Sequence, residues 1–195
     1  MEKLDFGEPL PKVKCTSSNC EADLHCFRPK KPKTMQGGKC RECEIELVDW
    51  DIVQRKDLGD IDTTIAFLKK ENIRHHFWNI PINKNFKWAN VVQGKDKLSQ
   101  KALKRLKQSV GCVVSEIFFD GRQTPVTQWN IIFFAQHATA TCCRQCIQYW
   151  YGIPYDRELT EIELDYFQKL IMRYIDEKLG NIPNAENFQL QLDFN

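Results

Sequence analysis

Long apolar runs are missing from this 195-residue sequence. The longest, Ile131 to Ala135, falls far short of the roughly 20 residues a membrane-spanning helix needs. The first residues, MEKLDFGEPLPKVKC, hold no apolar stretch of the kind a secretory leader carries. The expectation is a cytoplasmic protein with no membrane partner. No internal repeat is visible, which sets aside solenoids and propellers. Charge is neither scarce nor excessive at 28%, and hydrophobic residues make up 42% with 11% aromatic, so a packed core is expected and wholesale disorder is not.

Cysteine, by contrast, is plentiful: nine residues in a chain read as sitting in a reducing compartment, where structural disulfides are rare. Cys15, Cys20, Cys26, Cys40 and Cys43 form one bunch, and Cys142, Cys143 and Cys146 form another; Cys112 stands alone. Bunching of this kind, with two Cys-x-x-Cys pairs, favours metal ligation over scattered core thiols. The charge is also uneven. Residues 1–107 carry 22 Lys+Arg against 15 Asp+Glu, a net of +7, and residues 108–195 carry 6 against 11, a net of −5. Two halves of opposite sign can dock on one another, or the front half can meet a polyanion.

Along the chain, three regions are expected: an arm and zinc-ribbon-like module at 1–50, a helical region with a basic segment at 51–110, and a C-terminal His/Cys-cluster domain at 111–195. The fold class expected is α+β, a zinc ribbon fused to a mainly helical domain with a few short strands. Pro29, Pro32 and Gly37–Gly38 suit a turn-rich hairpin. Glu44–Val48, Val113–Phe118 and Trp129–Phe134 read as strands. Helices are predicted over 61–77, from Ser99 to Val110, and from near Thr139–Thr141 to Gly152. A last helix opens on the capping box Thr160/Glu163 and buries Ile162, Tyr166, Phe167, Leu170, Ile171 and Tyr174. Asn83 to Asp96 reads as a polar linker, and the tail from Asn181 as loose.

Zinc takes four tetrahedral ligands, usually thiolates and imidazoles. Two knuckles, Cys15-x4-Cys20 and Cys40-x2-Cys43, joined by a 19-residue loop, meet that demand. The predicted first site is therefore Cys15, Cys20, Cys40 and Cys43, with His25 and Cys26 as spare ligands for the more unusually spaced Cys20. A region this small has little core of its own, so metal would supply much of its folding free energy, an apparent ~10–16 kcal/mol in zinc-finger peptides.

His137, Cys142, Cys143 and Cys146 lie within ten residues and form the predicted second site, which makes the expected cofactor Zn2+ at one or two positions. Two other readings stand beside it: a helix packed through small thiols, and redox exchange by the Cys143-x-x-Cys146 pair. A zinc deaminase is set aside, because His137 is followed by Ala138 and Thr139 where that chemistry needs a glutamate. His75 and His76, being adjacent, point about 100° apart on a helix and make no facial metal pair.

From about Asp120 to Ile175 the chain resembles an uncharacterised bacterial domain family of unknown function. The residues that carry the likeness are Asp120-Gly121-Arg122-Gln123-Thr124-Pro125, Ala135 through Arg144, Cys146, Trp150, Gly152-Ile153-Pro154 and Arg157-Glu158-Leu159-Thr160. Where that family's pattern has a histidine after the tryptophan, this chain has Tyr151. The resemblance implies a shared structure and site and brings no activity. The front half is similar to zinc-ribbon segments associated with the same proteins, through Asp23-Leu24-His25, Phe27-Arg28-Pro29-Lys30 and Arg74-His75-His76-Phe77-Trp78.

Three functions follow. The leading one is a zinc protein associated with nucleic acid, in DNA repair, modification or defence against foreign DNA. Lys84 to Lys107 holds eight basic residues and one acid, interleaved with aromatic rings, so cations can neutralise phosphates while rings stack on bases. The candidate contacts are Lys30, Lys31, Lys33, Lys84, Lys87, Trp88, Lys101, Lys104 and Arg105. The second is a metal-dependent hydrolase or base-processing enzyme at the His137 cluster, with Asp120, Arg122, Gln123 and Tyr151 as polar partners. The third is a zinc-stabilised protein–protein adaptor.

Overall fold

A computed structural model describes Phe6, Leu10, residues 13–30, 38–112 and 123–180, and Ile182. Among the described residues the chain is mostly helical: α1 (Trp50–Arg55), α2 (Ile61–Leu68), α3 (Asn72–Asn79), α4 (Lys84–Val91), α5 (Lys95–Leu106), α6 (Ile131–Ala138), α7 (Arg144–Tyr151) and α8 (Glu161–Leu179). Their only β pairing is two isolated bridges, Asn19 with Leu24 and His25 with Glu71. No helix among them is long and apolar enough to cross a membrane. Helix α8 packs on α5 and α6, α3 on α6, and α1 on α7. One continuous apolar cluster runs through the structure, including Phe27, Val53, Phe77, Leu98, Phe134, Trp150 and Phe167.

Local chemistry sets the helix ends. Asn83 accepts from the amide of Phe86 at 2.8 Å, and Asn130 accepts from those of Ile132 and Phe133 at 2.9 and 3.3 Å, each satisfying amides that a helix start leaves without partners. Thr160 and Glu163 form the expected capping box. Gly152 ends α7 at φ +67°, where an added Cβ would also meet the Gln54 side chain at 3.1 Å.

The strand expected at Trp129–Phe134 is instead the start of α6. Its run of β-branched and aromatic residues reflects burial on nearly every side, with Phe133 alone half-exposed, and a helix buried all round shows no amphipathic period. Glu44 sits in the left-handed region at φ 61°, and Glu44–Val48 joins no ladder among the described residues. Val113–Phe118, the hairpin tip around Pro32 and most of the tail lie outside them. The expected linker at 83–96 is α4 and the first residues of α5, because Asn83 supplies a cap that polarity alone concealed.

The helix predicted over 61–77 breaks into α2 and α3. At the break the first module docks: the His25 amide donates to the Lys70 carbonyl and the Asn72 amide to the His25 carbonyl, both at 2.8 Å. The helix expected from Ser99 begins earlier, at Lys95, and widens into a π turn at Lys107–Gly111. Ile162, predicted to be buried, is 82% exposed. It sits off the stripe formed by Glu163, Tyr166, Phe167, Leu170, Ile171 and Tyr174.

Candidate metal centres

The first thiol-rich group lies between the two knuckles. Cys20 opens a single 3-10 turn, Cys20–Ala22, which Asp23 closes in the left-handed region at φ 57°. The Arg41 amide then donates to the Cys26 carbonyl at 2.9 Å, tying one knuckle to the other. The ligand atoms of Cys20, His25, Cys40 and Cys43 consequently all lie within 4.8 Å of one another. Cys20 Sγ is 3.8 Å from Cys40 Sγ, and Cys43 Sγ is 3.4 Å from His25 Nδ1.

The imidazole of His25 has a defined tautomer. Its Nε2 is 3.0 Å from Asp23 Oδ1, and an ionised carboxylate can only accept, so Nε2 carries the proton and Nδ1 keeps its lone pair for the thiols. Asp23 is held ionised, its carboxyl pulled below its ordinary range by hydrogen bonds from Lys70 and then His25. Burial and the neighbouring thiols of Cys43 and Cys40 push Cys20 up to about 11. Burial also opposes ionisation of Cys40, but amides near Cys26, Cys43 and Glu42 together with His25 outweigh it and bring that thiol down to about 6. A bound cation would relieve the repulsion between thiolates packed this closely.

Cys15, an expected member of this group, is not among the four atoms brought together. It is half-buried against the apolar cluster, and its carbonyl accepts from the Cys26 thiol at 3.5 Å. Cys26 is fully buried.

The second group is Cys142, Cys143 and Cys146, whose three sulfurs also lie within 4.8 Å of one another and are all buried. The expected helix across Thr141 begins later, at Arg144, with Cys143 as its N-cap: Cys143 Sγ accepts from the Cys146 amide at 3.5 Å. His137 occupies the last turn of α6. Its Nε2 is 3.2 Å from the Pro125 carbonyl, its ring stacks on Phe77 at 4.5 Å, and it is not one of the clustered ligand atoms. Burial, with the Arg74 cation next in effect, brings its pKa down to about 4.

Below these thiols is a buried polar network with no counterpart in the sequence motifs. Arg74, fully buried on α3, donates through Nη2 to Cys146 Sγ at 3.1 Å and to Tyr149 Oη at 2.9 Å. Its Nη1 reaches the His137 carbonyl at 2.7 Å, and its Nε reaches Glu71 at 2.9 Å. The Glu71 carboxylate takes four donors in all, adding the Phe27 amide, Tyr149 Oη and Trp150 Nε1. Burial acts against the charge of Arg74, but the phenol, thiols and carboxylate around it outweigh that and hold it protonated. Arg74 is 68 residues from Cys142, so no local spacing could have announced the pairing; its two kinds of partner meet only through packing.

Of the polar candidates, Tyr151 is fully buried and donates to the Thr139 carbonyl at 2.5 Å. Gln123 accepts through its carbonyl from Arg105. Asp120 and Arg122 lie outside the described residues, as do Lys31 and Lys33. Lys30, Lys84, Lys87, Lys101 and Lys104 are exposed, and Trp88 is 62% exposed. Arg105 is half-buried, with its guanidinium 4.9 Å from the Phe133 ring.

Fold and site together define a mostly helical protein with two Cys/His groups able to hold a metal ion. The chain belongs to the family described as Domain of unknown function (DUF4186), which matches residues 62–176. That range contains Glu71, Arg74 and the second thiol group, whereas the first group precedes it. No solved structure matches the chain.

Proposed function

We propose that this is a zinc protein that binds single-stranded nucleic acid. In this reading Cys20, His25, Cys40 and Cys43 hold a closed structural zinc, and the second thiol group holds another. Three thiolates and one imidazole suit zinc better than calcium or magnesium, which select oxygen ligands. The metal's task at the first site is to fix the knuckles that dock at the α2–α3 break.

The observation that carries the nucleic-acid reading is Trp88. It is a large ring left 62% exposed on α4, with exposed Lys84 and Lys87 on the same short helix. Lys84, Lys87, Lys97 and Lys104 make no ion pair among the described residues, so their charge is free to meet phosphates. A base has a π-face that such a ring can stack on, worth about 1–3 kcal/mol per base. The hydrolase reading gains nothing from Tyr151, whose hydroxyl is committed to the Thr139 carbonyl.

Anisotropy of a labelled single-stranded oligonucleotide, titrated with the zinc-loaded chain, tests this. Binding that weakens steeply as salt rises, and that Trp88→Ala reduces, is the expected result. Absence of binding even at about 50 mM salt would end the nucleic-acid reading.

A further inference from the structure

We propose that the cavity between α4, α5 and the start of α6 receives one unstacked base of a single strand. This rests on the reading that the chain binds single-stranded nucleic acid, and gives that reading a place where a base is held.

Size and lining select a single ring system. The cavity encloses about 180 Å³, below the roughly 300–1,000 Å³ that holds a drug-sized ligand. Phe86 is the buried ring among its walls, and the rings of Phe6 and Trp129 meet it edge-on at 5.3 and 5.2 Å. Phe6 and Trp129 are only half-buried, so each keeps ring surface open to the cavity it lines. Every base has a π-face that such rings can stack on.

The polar groups distinguish a base from an aliphatic guest. Asn90 donates through Nδ2 to the Phe86 carbonyl at 2.7 Å, which leaves its Oδ1 to accept. Asn130 accepts through Oδ1 from the amides of Ile132 and Phe133, which leaves its Nδ2 to donate. Both side chains line the cavity, and the edge of a base offers the donor and acceptor that match them. Lys101, also on the lining, is exposed and hydrogen-bonds the Gln93 side chain rather than an acid among the described residues. Its charge therefore stands beside the cavity, where the attached phosphate would be.

Helix geometry relates the cavity to the exposed ring of Trp88. Phe86 and Asn90 are four apart and share a face of α4, whereas Trp88, two residues on from Phe86, is about 200° round the helix. A strand crossing α4 would stack one base on Trp88 and place another in the cavity. Filling the cavity should leave the Trp88 contact in place.

The probe is a short oligothymidylate carrying one 5-iodouracil, photocrosslinked to the zinc-loaded full-length chain and mapped by mass spectrometry. Crosslinks at Trp129 or Phe6 are expected. Ala89 is a half-buried residue of the lining, and Ala89→Leu should abolish those crosslinks, keep any at Trp88 and weaken binding about tenfold, the effect of losing one stacked base. The wild-type crosslinks carry the test if that variant does not fold. Crosslinks that miss both Trp129 and Phe6, or an unchanged affinity in folded Ala89→Leu, would overturn the cavity assignment while the single-strand reading stands. No binding at about 50 mM salt would overturn both.

Discussion

Arg74 on α3 lies 3.1 Å from the Cys146 thiol on α7, joining a guanidinium and a sulfur 72 residues apart in the chain. Neither the charge nor the thiol is exposed. This pairing ties the second thiol group to Glu71, and Glu71 in turn receives the Phe27 amide of the first module.

Removing that cation should be costly. Arg74→Met would strip the counter-ion from the Glu71 carboxyl, which burial already pushes above its ordinary range, and breaking a buried pair on one side typically destabilises by about 3–5 kcal/mol. Urea denaturation of the zinc-loaded variant checks this. A loss below about 1 kcal/mol would mean that Tyr149, Trp150 and the Phe27 amide suffice to hold the carboxylate.

Cys43 is the exposed member of the first group, so its loss opens no cavity. Cys43→Ala should therefore act through the metal: one zinc fewer per chain, and faster limited proteolysis between residues 13 and 48, with helical circular dichroism largely kept. Unchanged zinc content and unchanged cleavage would show that the four clustered ligand atoms do not form a metal centre.

How much of this was legible in the sequence depends on the range of the signal. Thr160 and Glu163 are three residues apart, and the cap they predicted is present. Two bunches of ligand-type residues were also legible, because ligand spacing within a knuckle is local. The membership of the first group was not: Cys15 and His25 are equally near Cys20 in sequence, and only the left-handed turn at Asp23 and the docking of His25 on Lys70 and Asn72 decide which one meets Cys40 and Cys43. α6 was misread because complete burial erases the helical period, leaving a run of Ile and Phe that looks like a strand. The Glu71–Arg74 network was invisible because its partners belong to distant helices.

The basic residues from Lys84 to Arg105 divide by environment, and their variants should divide with them. Arg105 donates to the Gln123 carbonyl and stands over Phe133, so Arg105→Ala should lower stability while leaving the salt dependence of oligonucleotide binding in place. Lys84→Gln with Lys87→Gln should do the reverse. For a single strand, each phosphate that no longer meets a cation reduces the slope of log affinity against log salt by about 0.7, so the double variant should flatten it by about 1.4. An unaltered slope in the double variant would move the phosphate track away from α4.

His137 gives the protein a defined sensitivity to acid. Burial first, and the Arg74 cation second, lower its pKa from 6.5 to about 4. Between those two values the unfolded chain binds a proton at this site and the folded chain does not, so unfolding takes up a proton and stability falls as the pH is lowered. The contribution is fully present above about 6.5 and is lost progressively down to about 4, reaching on the order of 3 kcal/mol. Thiolate protonation would add to acid unfolding in any metal-loaded form, so the clean measurement is the titration of the His137 ring itself by NMR. Its resonance should stay in the neutral position through pH 5, with His76 as an internal comparison: half-buried and lowered by burial and by His137 and His75. A midpoint near 6.5 for His137 would mean that water reaches its ring, and the pH dependence assigned to it would vanish.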